Sequence, residues 1–397
     1  MRTRLNGMPW LAEWVSRMSC STTSWKASVC ALMLCWACSA KSQPKTTAGE
    51  QPNTSGIPNR AHTLAASVTG RGVSEGKDPR EPPRDNQPHA AAHSGDDVAS
   101  VLALDGSAST SFGGPSSGKV RGAIALPDRG PGFYHNPRRP DQARFGTVEL
   151  VQAIVRAAAV VDRELPGSAL TVNDLGLAQG GPIAQHASHQ AGRDADILFY
   201  ALDEHGAPIP AVGVPLDPQG KGWDFKDLAV PNDDQAVQLD APRTWRFVAA
   251  LLELTGDAVQ RIFIVEHVRS LLLKEAKRVH APKALVQRFE DVTCQPGAPH
   301  DDHLHVRMFC TPQDIAEGCL DGVPLYPWRE QELAALGIKP ALAPNPSRED
   351  RNAVKKRTTS PEQARKKAGP MHAKVKQFLL ERNAWIKRPR PGRPYCK

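Results

Sequence analysis

Apolar residues recur at helical spacing after Thr147, where Val148, Leu150, Val151, Ile154, Val155 and Ala158 fall on one stripe and Thr147 is placed to cap its start. A second helical stretch opens at Pro242 and runs through Trp245, Phe247, Val248, Leu251 and Leu252. A third is predicted over 267–279. Between these lie runs with strand character at 169–172, 195–200, 261–265 and 303–309, the last alternating with period two. Helices and strands without regular strand–helix–strand repeats predict an α+β domain over 120–328, a small antiparallel sheet with flanking helices.

The flanks read differently. Residues 1–40 have the form of an export signal: Lys26 precedes an apolar stretch over 27–37, too short to span a bilayer, and small residues follow at Ala37, Cys38, Ser39 and Ala40. A start at Met18 would give this signal an ordinary length. Cleavage near Ala40 would release a soluble periplasmic protein, whereas cleavage before Cys38 would leave a lipid-anchored one; Trp36 fits a lipoprotein box poorly. Residues 41–119, rich in Ser, Thr, Gly, Pro, Gln and Asn and without a period, read as a disordered linker. Residues 329–397 are Pro-rich and basic and are expected to be largely disordered, with one amphipathic helix over 371–385.

The net charge of +8 is unevenly spread: from Arg351 onward 15 Lys and Arg face 2 acids, so the tail holds +13 and the preceding chain −5. The basic balance therefore says nothing about what the body binds. In the tail it suits outer-membrane lipid headgroups or wall polyanions, and no nucleic acid partner is expected. Four of the eight cysteines (Cys20, Cys30, Cys35 and Cys38) lie in the signal. Cys310 and Cys319 are spaced to close a small disulfide loop in an exported protein, and the pairing of Cys294 with Cys396 stays open.

Two segments hold five of the thirteen histidines. One runs from Gly180 through His186, His189, Gly192 and Asp194 to Asp196; the other holds His300, His303, His305 and Arg307. His303 and His305, two apart on a strand, project from one face. If that strand pairs with the one carrying Asp196, Asp196 and His305 converge, and His189 reaches the same point if the chain turns back at Gly192. Two imidazoles and a carboxylate make a three-ligand zinc site with one position open for water, the arrangement of catalytic zinc. Either histidine pair alone is weak evidence, because such pairs are common on polar surfaces. Both clusters in one domain, each beside a predicted strand, carry the metal reading.

Taken together, His186-Ala-Ser-His189, Asp194-Ala-Asp196-Ile, Arg261-Ile-Phe and His300-x-x-His303-x-His305-Val-Arg-x-x-Cys310 resemble the penicillin-insensitive murein endopeptidases, within the LAS-type zinc metallopeptidases that include lysostaphin, D-Ala-D-Ala peptidases and hedgehog domains. The resemblance spans roughly 145–319. It implies an LAS-type fold and one catalytic zinc ion held by His189, Asp196 and His305, with His186 either a further ligand, the assigned role, or a substrate-side group. It implies that His303 stabilises the transition state or moves the proton, with His300 in reserve. Carboxypeptidase relatives carry a glutamate where His300 stands, which favours the cutting of cross-links over C-terminal trimming. The implied reaction is hydrolysis of the D-alanyl–meso-diaminopimelyl bridge of peptidoglycan by metal-activated water, with no serine for penicillin to acylate. Arg307 or Arg193 would orient a substrate carboxylate. The family's second metal position is poorly matched: Asp233 is present, but Ala236 stands where a ligand is expected. Two alternatives remain: a D,D-carboxypeptidase or dipeptidase, and an inactive wall-binding zinc domain.

Overall fold

The structure is a computed structural model that describes residues 98–386 and residue 396. The expected signal, Cys38 and the linker up to residue 97 lie outside the described residues. The first segment is α1 (Val98–Leu102), β1 (Thr110–Phe112), β2 (Lys119–Arg121), β3 (Ile124–Ala125), β4 (Arg129–Gly130), β5 (Phe133–His135) and β6 (Phe145–Gly146). Then come α2 (Val148–Glu164), β7 (Leu170–Val172) and β8 (Asp194–Leu198), followed by β9 (Ala201–Leu202), β10 (Pro208–Ile209), β11 (Lys221–Asp224) and β12 (Gln235–Leu239). The chain continues through α3 (Ala241–Thr255), β13 (Val259–Phe263), α4 (Glu266–Arg278), α5 (Lys283–Val292), β14 (Thr293–Cys294) and β15 (His303–Met308). Five helices follow: α6 (Pro312–Ala316), α7 (Pro327–Ala335), α8 (Arg348–Arg357), α9 (Pro361–Ala368) and α10 (Ala373–Trp385).

The α+β class stands, but the sheet is neither small nor wholly antiparallel. Seven strands pair in the order β14-β13-β15-β8-β7-β5-β4. The β13–β14 and β5–β7 pairs are parallel. A second, four-stranded sheet has the order β10-β9-β12-β11. Most of the unforeseen strands are two or three residues long, too short for period-two alternation to show.

The large sheet has two unlike faces. Ala195 and Ile197 of β8 and Leu304, Val306 and Met308 of β15 belong to one hydrophobic core with α2 and α3. That core takes the stripe of α2 from Val148 to Val161 and the Trp245, Phe247, Val248 and Leu251 side of α3. The Thr147 side chain accepts from the Leu150 amide, so the cap foreseen for α2 is in place. The alternate residues of β8 and β15, all polar or charged but Leu198, face the other way.

Order begins before residue 120. The Ser-rich stretch ahead of β2 reads as linker by composition, yet its hydroxyls are used within the domain. Ser109 Oγ accepts from the Val148 amide at 2.9 Å, and buried Ser111 donates to the Ala191 carbonyl at 2.8 Å. The tail is also more structured than its composition suggests. Capping boxes at Ser347/Asp350 and Ser360/Gln363 start α8 and α9. The helix expected over 371–385 is α10, with Val375 and Phe378 buried. Cys310 pairs with Cys319, and Cys294 with Cys396.

Arg193 is not a substrate-binding group. It is fully buried, with Nε donating to Ser111 Oγ at 3.0 Å, Nη1 to the Met308 carbonyl at 2.8 Å and Nη2 to the Leu320 carbonyl at 2.9 Å. Asp321 lies 3.4 Å away and is its buried counter-charge. Arg193→Met would remove the nearer of Asp321's two guanidinium partners, leaving Arg329 at 3.9 Å and the Cys310 amide at 2.7 Å, so stability is expected to fall by roughly 3 kcal/mol, the low end for a broken buried pair, in a urea melt. A variant as stable as the parent would mean that the ion pair contributes nothing net.

Candidate metal centre

The pairing of β8 with β15 puts Asp196 directly opposite His305 and Asp194 opposite Arg307. His189 arrives from the preceding loop, which turns back at Gly192 (φ +71°); a Cβ there would crowd Val120 Cγ2 at 3.1 Å. His189 itself sits at φ +66° with no exposed surface, and His300 at φ +52°. Two non-glycine residues in the left-handed region at one site are strain held by their surroundings.

The foreseen residues meet around Asp196. Its Oδ1 is 3.3 Å from His189 Nε2, 3.2 Å from His305 Nδ1 and 3.4 Å from His303 Nε2, and its Oδ2 is 3.4 Å from His186 Nδ1. The candidate ligand atoms of His186, His189 and Asp196 all lie within 4.8 Å of one another. Bonds of about 2.0–2.2 Å to a tetrahedral ion would set neighbouring ligand atoms roughly 3.4 Å apart, so the spacing fits. His189 Nε2 and Asp196 Oδ1 are buried without a hydrogen-bond partner, an arrangement that costs stability unless a cation completes it.

The outward ring atoms are tied down. His189 Nδ1 bonds the Leu175 carbonyl, His305 Nε2 bonds Asp194 Oδ1 at 2.7 Å, and His186 Nε2 bonds Asp174 Oδ2 at 2.8 Å. Each bond turns a ring lone pair inward, as the outer partners of metal-bound histidines do. Asp194 is held in turn by Arg307 Nε at 2.6 Å, and Asp174 by Arg139 Nε at 2.8 Å. His303 is held by Asp302, Nδ1 to Oδ1 at 2.6 Å.

Charge follows the same logic. Burial opposes ionisation of Asp196, but His303 and His189 outweigh it and hold the carboxyl well below the usual range. Burial likewise opposes charging His303, yet Asp196 and Asp302 push it well above the usual imidazole value. His300 goes the other way: burial, then the neighbouring imidazoles of His303 and His305, push it down to about 3.

The cage opens on a cleft of about 600 Å3 whose lining includes His186, Ser188, His300, His303 and Arg307. Thr358 and Arg382 of the tail also line it. The Arg307 guanidinium lies over the Phe263 ring at 5.1 Å, and this ring stands edge-on to His305 at 5.0 Å.

A family model described as penicillin-insensitive murein endopeptidase matches residues 111–329, more than half of the chain. The chain belongs to that family. Relatives named as penicillin-insensitive murein endopeptidases include one from Klebsiella pneumoniae subsp. pneumoniae, 29% identical over 57% of this chain and 78% of its own. One from Pectobacterium atrosepticum is 29% identical over 59% and 80%, and one from Citrobacter koseri 30% identical over 55% and 71%. As a murein endopeptidase family member, the chain carries all six foreseen site residues inside the matched span, while α8, α9 and α10 lie beyond it.

Reading the sequence missed the outer partners. Asp302 stood unassigned beside His303, and Asp174 follows the apolar run of β7, where a polar residue at a strand end is a usable signal. Arg139 and Arg382 carried none, because only the fold brings them near.

Proposed function

We propose that this chain is a zinc-dependent peptidoglycan D,D-endopeptidase that hydrolyses D-alanyl–meso-diaminopimelyl cross-links in the periplasm. The observation that carries it is the convergence of His189 Nε2, His305 Nδ1 and His186 Nδ1 on the Asp196 carboxylate, with unpartnered atoms among them, at the floor of a cleft. Among the described residues no helix is long and apolar enough to cross a membrane. Export through residues 1–40, an LAS-type arrangement of the fold and anchoring at Cys38 after lipidation belong to the same reading.

His189, Asp196 and His305 would hold the ion, with His186 as a further ligand. Bound zinc supplies Lewis acidity, acidifying water and polarising the scissile carbonyl. The chain supplies the rest. His303, held by Asp302 through Nδ1, turns Nε2 toward Asp196 at 3.4 Å, where it would carry a proton between the attacking water and the leaving amine. His300 stands beside it as a second imidazole in the same wall, the two ring centroids 4.8 Å apart. Arg307 is the cation placed to steer a substrate carboxylate.

The direct test is digestion of purified cross-linked muropeptide dimers alongside monomeric pentapeptides. Release of monomers, abolished by a chelator and restored by zinc, is the expected result. Shortening of pentapeptides with dimers intact would replace the endopeptidase reading by the carboxypeptidase one.

A further inference from the structure

The segment beyond α7 grips both histidine-bearing loops. On one side, Arg357 Nε donates to the His186 carbonyl at 3.0 Å and the Gln185 amide donates to the Arg357 carbonyl at 3.1 Å. On the other, Arg382 makes two bonds to Asp301, Nε to Oδ2 at 2.7 Å and Nη2 to Oδ1 at 2.8 Å. Asp301 is 1% exposed and stands between His300, in its left-handed conformation, and Asp302, which holds His303. The backbone of this turn is pinned from inside by the Val265 amide on the His300 carbonyl and the Leu216 amide on the Asp301 carbonyl. Arg382 is its outer fastening.

The helix that carries Arg382 is fixed at both ends. At its start the His372 amide donates to the Leu228 carbonyl at 2.8 Å, and His372 and Lys374 each lie 3.4 Å from buried Asp234. Phe378 packs edge-on to Phe225 at 5.4 Å. At its end Gln295 Nε2 donates to the Ile386 carbonyl at 2.9 Å, and Cys396 is joined to Cys294.

We propose that Arg382, outside the family-matched residues, is a positioning residue for the reaction at this site: through Asp301 it sets the turn that aims Asp302 and His303 into the cleft. The proposal rests on the reading of His303 as proton carrier. A bidentate guanidinium–carboxylate pair fixes orientation as well as charge, and removing the guanidinium leaves a buried carboxylate beside a strained turn.

The test compares Arg382→Met and Arg382→Lys in the full-length, zinc-loaded protein. Arg382→Met is expected to keep one zinc per chain and its KM for muropeptide dimers while kcat falls at least about tenfold, within the 10²-fold that a misplacement of about 1 Å can cost. Arg382→Lys should regain part of that loss, since it restores the charge but not the fork. Amide hydrogen exchange over 299–303 should quicken in Arg382→Met and less so in Arg382→Lys. Unchanged kcat, a loss expressed in KM alone, or equal losses in both variants would overturn the proposal. Should Arg382→Met fail to fold, Asp301→Asn is judged by the same measurements. Exchange decides independently of turnover: a wild-type protein inert toward dimers counts against the cross-link reading, and unchanged exchange at 299–303 counts against the clamp.

Discussion

His305→Ala is expected to abolish both metal binding and dimer hydrolysis. His305 offers one ring nitrogen to the cage, 3.2 Å from Asp196 Oδ1, and anchors the other on Asp194. Losing an outer partner alone costs about 10–100-fold in metal affinity, and losing the ligand itself should exceed that. Zinc stoichiometry after dialysis and dimer digestion measure the two effects together. The fold should survive, because Asp194 keeps its bond from Arg307 Nε at 2.6 Å, and a thermal melt of the metal-free protein checks this. A His305→Ala protein that retains one zinc ion and digests dimers would remove the proposed cage.

His303→Ala should separate binding from chemistry. Its Nε2 is the farthest of the three imidazole nitrogens around Asp196 Oδ1, at 3.4 Å, and its Nδ1 is committed to Asp302 rather than to a strand-borne aspartate. The variant is therefore expected to bind zinc stoichiometrically while kcat drops by about 10²–10⁴-fold, the usual contribution of a positioned acid–base group. Calorimetric zinc titration beside single-turnover digestion distinguishes the two quantities. Retained activity would pass the proton role to His300, whose Nδ1 is occupied by the Ala298 carbonyl at 2.7 Å.

The site was more legible than the scaffold. Alternation in the last strand puts His303 and His305 on one face, while its pairing with the strand that carries Asp196, only a condition at the level of sequence, comes from the β8–β15 register. The long helices were legible for the same reason, since α2 and α3 each carry an apolar stripe over several turns. What escaped was short or non-local. β5 and β14 contain three and two residues and gain their meaning only from partners about thirty or more residues away, β7 and β13. The Ser-rich start and the Lys/Arg-rich tail were read by composition, which registers hydration but not caps, ion pairs or a disulfide that closes a loop of 102 residues. Arg193 was misread for a related reason: a charge in a motif reads as exposed until the fold shows its hydrogen bonds all turned inward.

The two-faced strand pair has a consequence for misfolding. Were β15 to slip by one residue against β8, its side chains would change sides together. Imidazoles would then be driven into the helix-packed interior while Leu304 and Val306 met water. No partly working enzyme can arise that way, since the same error that scatters the ligands also wrecks the core. Chains that have lost their chemistry by this route would already be open to proteolysis, so cellular quality control of the fold would also screen for a functional site.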